Sequence, residues 1–184
     1  MKECTQTDKQ SVHEHGISVR DYTFDLLNHL RYGHSLKFEW KLPEWISENK
    51  DFIQENLYSD ETIKLYTEMH DCGKPFCLTI DDDGRRHFPN HAEVSYNTFK
   101  EIFNNHDAAE LIRRDMDFHL LKSDGLKEFS DSTYAVTLML VGLAELHSNA
   151  SMFGGLDSIS FKIKWKHTKK RGRQIIDLIK NRKF

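Results

Sequence analysis

Along most of the chain apolar residues recur three or four positions apart, the spacing of one face of a helix. His15, Val19, Tyr22, Leu26 and Leu30 share such a face and predict an amphipathic helix over Ser11 to Leu30, with His15 in line with the core residues. Tyr32 to Pro43 is irregular and predicts a loop, and Glu44 to Tyr58 predicts a second helix. Ser59 or Asp60 caps the next, whose inward positions are Ile63, Tyr66 and His70 and whose stop is Gly73. The stretch Thr79 to Pro89 reads as a loop or hairpin around an Asp-Gly step. Asp107 with Glu110 resembles a capping box and predicts a helix to about Lys122, where Leu111, Ile112, Asp115, His119 and Leu120 share a face and Asp117 falls on the opposite side. Ser132 to Asn149 predicts a further helix that turns His147 inward with Leu140, Leu143 and Ala144. The pattern then changes. Ile159, Phe161, Ile163 and Trp165 alternate with Ser160, Lys162, Lys164 and Lys166, a period of two that predicts a strand with one apolar and one basic side. A turn at KKRGR and a helix over Gln174 to Asn181 follow.

The expected fold is therefore mainly α, with one short basic and apolar strand near the C-terminus. A length of 184 residues and 38% hydrophobic content support one domain over 1–184, with a core at 11–155 and a strand-turn-helix at 156–184. The formal net charge is -3, which excludes a uniformly polyanion-coating protein. The longest apolar run, Ala135 to Leu146, is shorter than the ~20 residues of a spanning helix, so no membrane partner is expected. The first sixteen residues have no apolar stretch, which sets the expectation of a cytoplasmic chain. Cys4, Cys72 and Cys77 form no C-x-x-C pair and read as reduced thiols; Cys72 has no companion that would make it a nucleophile. Oligomeric state leaves no mark on the pattern.

Eleven histidines change the picture. In M-H-D-C-G-K at 69–74 an adjacent His70 and Asp71 close a helix, and His15 comes inward from an earlier one. Neighbouring ligands at a helix end can reach one ion while other helices complete its shell with imidazole and carboxylate. Asp115 and His147 are further inward ligand types, His91 follows the loop or hairpin, and Lys74 stands where it can meet negative charge or complement the helix end.

Taken with S-V-H-E-H-G-I-S-V at 11–19, F-P-N-H-A-E-V-S at 88–95, L-I-R-R-D-M-D-F-H at 111–119 and A-E-L-H-S-N-A at 144–150, this doublet resembles the HD-domain metal-dependent phosphohydrolases over about residues 11–155. The resemblance implies a helical-bundle fold. It also implies one or two divalent ions (Mn, Co, Ni, Fe, Zn or Mg) held by His15, His70 and Asp71, with His91 as the first extra histidine. Two positions depart from the family pattern. Asp115 stands where two-metal members place a histidine, and His147 where the final aspartate is usual; either the two types are exchanged, or Asp115 itself supplies the final carboxylate. The implied reaction is attack of metal-activated water on a phosphate ester, with Asp71, Asp115 and Lys74 in the catalytic roles and a nucleotide as substrate.

Lys162, Lys164 and Lys166 on the basic strand, with Lys74, are the candidate phosphate-binding residues, and the basic segment 162–173 is a candidate RNA or DNA contact. Solvated edge-strand lysines are the plainer interpretation of that segment. Two other activities remain open: a phosphatase or cyclic phosphodiesterase at RNA ends, and a non-catalytic nucleotide or nucleic-acid binding module.

Overall fold

In the computed structural model, which describes residues 1–7 and 10–182, helix dominates. The elements along the chain are β1 (Thr5–Thr7), β2 (Gln10–Ser11), α1 (Val12–Tyr32), α2 (Glu44–Glu48), α3 (Lys50–Glu55), α4 (Asp60–Met69), α5 (Lys74–Cys77), β3 (Thr79–Ile80), β4 (Arg86–His87), α6 (His91–Ile102), α7 (His106–Arg113), α8 (Asp115–His119), α9 (Leu126–Asp131), α10 (Ala135–Ser148), a 3-10 turn (Ala150–Phe153) and α11 (Ile159–Lys180). No helix among the described residues is long and apolar enough to cross a membrane. The chain divides into two units: Met1–Arg20 with Ser59–Met116, and Asp21–Tyr58 with Asp117–Phe184.

In the first unit β1 and β2 pair antiparallel, and a capping box starts α1 directly after them. The Glu14 amide donates to the Ser11 hydroxyl, while the Ser11 amide and hydroxyl both donate to the Glu14 carboxylate at 2.8 Å. Ser59 caps α4 by accepting from the Thr62 amide. α4 and α6 pack on α7, and α5 on α6, around Ile63, Tyr66, Phe99, Ala108, Leu111 and Ile112. β3 and β4 form the hairpin expected around the Asp-Gly step.

Two glycines allow approaches that a side chain would block. A Cβ on Gly16 would strike the Glu68 carbonyl at the end of α4, and one on Gly73 would strike the Val94–Ser95 backbone of α6. The segment carrying His70 and Asp71 is thereby set hard against α6, and the Gly73 amide donates to the Ser95 hydroxyl at 2.9 Å.

In the second unit α10 is apolar on every side and buried through Ala135–Ala144. α9 and α11 pack on it and on each other. The loop after α1 is organised by Asp25, whose carboxylate accepts from the amides of Lys37 and Phe38 and from the Trp40 indole at 3.0 to 3.2 Å.

Several expectations need correction. The C-terminal strand does not exist: Ile159 to Lys180 is one helix that runs straight through the expected KKRGR turn. Phe161, Trp165, Thr168, Gly172, Ile175 and Ile176 form a helical stripe that also fits this sequence, and burying it on α9 and α10 outweighs the alternation. Ile159 and Ile163, the other half of the alternating set, are 78% and 64% exposed as a result. Ser158 starts the helix by accepting from the Phe161 amide at 3.1 Å. The helix over 44–58 breaks at Asn49 and that over 107–122 at Arg114, while Asn105 rather than Asp107 caps α7. Helices α6 and α9 lie where none was expected. Lys183 and Phe184, the end of the expected 156–184 segment, lie outside the described residues.

Candidate metal centre

His70 ends α4 and Asp71 opens the turn that Gly73 closes, so one short segment aims two ligand types inward. Three of their neighbours in the first unit meet them. His15 comes from the first turn of α1, His91 begins α6 after Asn90 in a left-handed conformation (φ 53°), and Lys74 begins α5. His15, His70 and Asp71 are buried, and His91 is half-buried.

The distances are those of a shared ligand set. His15 Nε2 and His70 Nε2 are 3.2 Å apart, and Asp71 Oδ2 is 3.6 Å from the first and 3.3 Å from the second. With metal–ligand bonds of about 2.1 Å, donors on one ion stand about 3.0 Å apart in an octahedral shell and about 3.4 Å in a tetrahedral one. The three atoms thus span one face of such a shell.

The protonation pattern follows from hydrogen bonds to carbonyls, which only accept. His70 Nδ1 lies 2.9 Å from the Thr67 carbonyl, and His91 Nδ1 lies 3.1 Å from that of Phe88. Each Nδ1 therefore carries a proton, so that whenever the ring is neutral its lone pair is on Nε2, the tautomer of a metal ligand. Both Nε2 atoms face Asp71: His70 toward Oδ2 at 3.3 Å, and His91 toward Oδ1 at 3.8 Å. Oδ1 is buried without a hydrogen-bond partner. A buried oxygen and a nitrogen lone pair turned toward one another are relieved by a cation between them, so these residues fit a divalent ion.

Lys74 supplies positive charge at Oδ2, the oxygen that also faces His15 and His70. Its ammonium donates to Asp71 Oδ2 at 2.6 Å and to the Gln6 side chain at 3.0 Å, and it stands over the Phe88 ring. Burial opposes ionisation of Asp71, but the charge and hydrogen bonding of His70, then Lys74 and His15, outweigh it and hold the carboxyl below the usual carboxylate range. The next residue responds oppositely. Burial, then the charge of Asp71, pushes the Cys72 thiol up to about 11, so Cys72 is a protonated packing residue.

The remaining candidates divide. Asp115 is buried and accepts from the Tyr66 hydroxyl at 2.7 Å, and the Tyr66 ring meets that of His70 edge-on at 6.4 Å between centroids. Asp115 is thus joined to the cluster through Tyr66. Tyr66 went unassigned in the sequence, although its i, i+4 spacing to His70 marks it; Gln6 left no such signal. Arg113 pairs with Glu93 on the surface and Arg114 with Glu110.

His147, in the second unit, has both ring nitrogens engaged by backbone. Its Nδ1 donates to the Leu143 carbonyl at 2.8 Å and its Nε2 accepts from the Lys41 amide at 3.1 Å, so neither nitrogen has a lone pair to offer. Burial lowers its pKa to about 4, as expected for a neutral core histidine. Two residues before it, Glu145 meets His119 Nε2 at 2.9 Å.

Lys162, Lys164 and Lys166 do not form the expected row for gripping phosphates. On α11, Lys162 and Lys166 are one turn apart and Lys164 is turned about 200° from Lys162. The Lys164 ammonium stands over the Phe153 ring, and Lys162 lies 3.8 Å from Asp157. No family model matches this chain, and neither does any curated protein or solved structure.

Proposed function

We propose that the protein is an HD-type metal-dependent phosphohydrolase acting on a nucleotide. The observation that supports this best is the convergence of His15, His70 and Asp71, with their donor atoms 3.2 to 3.6 Å apart and the His70 Nδ1 proton held by the Thr67 carbonyl. In this reading these three residues hold the first divalent ion. His91 and Asp71 Oδ1 form the place for a second, on the opposite oxygen of the same carboxylate.

A bound divalent ion would supply a water of lowered pKa and charge to oppose that on a phosphoryl group. The chain's own residues set the rest. Thr67 and Phe88 fix the imidazole tautomers, Asp71 presents both oxygens, and the Lys74 ammonium provides positive charge for phosphoryl oxygens beside the cluster. Tyr66 and Asp115 position the His70 ring from behind.

A second reading rests on the 2.6 Å contact of Lys74 with Asp71, because an ammonium there already neutralises the carboxylate. The cluster then ties together a non-catalytic nucleotide-binding module. One experiment separates the two. The purified protein is assayed with Mn, Co, Ni, Zn and Mg for phosphate release from nucleoside mono- and triphosphates, cyclic phosphates and short oligonucleotides with terminal phosphates, beside Asp71→Ala. Metal-dependent release lost in the variant supports hydrolysis. Nucleotide binding without release under every metal supports the second reading.

A further inference from the structure

The second unit carries its own charge feature, independent of the metal cluster. α11 holds eight Lys and Arg against one acid, Asp177, a formal +7 in a chain whose total is -3. Its buried stripe is packed on α9 and α10, so the cations fall on the outward side. Lys162, Lys166, Lys169 or Lys170, and Arg173 follow one another at three- and four-residue spacing over about 16 Å of helix. Between α11 and α2 lies an open groove of about 390 Å³, lined by Lys166, Lys169, Lys170, Arg173, Glu44 and Trp45.

Pairing within the groove is uneven. Lys169 bonds Glu44 at 2.6 Å and Arg173 bonds Glu48 at 2.5 Å, so α2 engages two of the four cations. Lys166 and Lys170, one turn apart and exposed, have no ion-pair partner among the described residues. A row of cations longer than any mononucleotide, with two unpaired and two held only by exposed carboxylates, suits a repeating anion.

We infer that the outward face of α11 and the groove beside α2 bind the phosphodiester backbone of a nucleic acid, with Lys166 and Lys170 as the principal contacts. The readout is independent of base sequence, because contacts to phosphates carry no base information and the aromatics of this region are engaged within the protein: Phe161 and Trp45 are fully buried, and half-buried Trp165 donates to the Lys41 carbonyl with the Lys169 ammonium over its ring. An anionic membrane fits less well. A helix lying in a bilayer surface needs a broad free apolar face, and here that face is packed on α9 and α10, leaving Ile159 and Ile163 exposed near one end and Leu178 near the other rather than a continuous apolar stripe.

The test uses the full chain in EDTA, so that the outcome does not depend on the metal reading. Anisotropy titrations with a labelled single-stranded RNA 20-mer and a labelled 20-base-pair DNA are run from 50 to 200 mM salt. Lys166→Gln/Lys170→Gln is compared with Lys50→Gln/Lys127→Gln, an exposed control pair. The wild type and the control pair should bind with the same salt-dependent affinity. The Lys166/Lys170 variant should bind about tenfold more weakly at 50 mM salt, with a log–log salt slope for RNA shallower by about 1.4, the share of two phosphate contacts. No saturable binding by the wild type at 50 mM salt overturns the proposal, as does equal loss in the two variants. Binding to phosphatidylserine vesicles in place of both oligonucleotides overturns it in favour of a membrane.

Discussion

The Tyr66 hydroxyl donates a 2.7 Å hydrogen bond to Oδ1 of Asp115, and both side chains are buried. A carboxylate out of water is strongly destabilising unless hydrogen bonds or cations meet it. Removing the hydroxyl with Tyr66→Phe should therefore cost about 1.5 to 3 kcal/mol, the range for a hydrogen bond to a charged group. Asp117, two residues on and exposed, is the comparison: Asp117→Asn should stay within about 0.5 kcal/mol of wild type. Urea unfolding of both variants measures the difference, and equal stabilities would remove Tyr66–Asp115 from the account.

Gly73→Ala should harm the site as well as the fold. The added Cβ meets the Val94–Ser95 backbone, which cannot rotate away, so a shift of the His70–Asp71 turn is forced. The expected loss is about 1 to 3 kcal/mol of stability, with weakened metal affinity at a temperature where the variant remains folded. A variant that loses stability but binds metal like the wild type would show that the turn tolerates displacement.

His147 predicts a dependence on pH. Its folded pKa is about 4 against the ordinary value of 6.5, so between these values the unfolded chain binds the proton and the folded one does not. Stability from this residue is fully present above pH 6.5 and is lost as pH falls through that range toward 4, to a total of roughly 3 kcal/mol. His147→Gln should flatten the stability profile between pH 6.5 and 4, read from urea midpoints at several pH values. An unchanged slope would mean that His147 takes up its proton without disturbing the core.

How much could be read from the chain varied with the reach of each interaction. The inward positions of His15, His70 and Asp115 were legible because helical phase is a local property. The pairing of His147 with the Lys41 amide joins residues 106 apart, and periodicity carries no information on it. Phase alone makes a core histidine and a ligand look the same. α11 misled for another reason: its first eight residues fit both a period of two and a helical stripe, and the tie is broken downstream, where Thr168, Gly172, Ile175 and Ile176 continue only the helix. Ser158 was a local start signal that went unread. Gln6 meets Lys74 through a two-stranded pairing that the polar segment Thr5–Thr7 does not announce.

The central claim is that His15, His70 and Asp71 hold a divalent cation, and calorimetric titration of the EDTA-stripped protein with Mn²⁺ and Zn²⁺ tests it most directly. The account predicts saturable binding of at least one ion per chain in the wild type. It also predicts loss of that binding in His70→Ala and Asp71→Ala variants whose circular dichroism shows the helices intact. Absence of binding by the wild type, or the same stoichiometry and affinity in the folded variants, would contradict it.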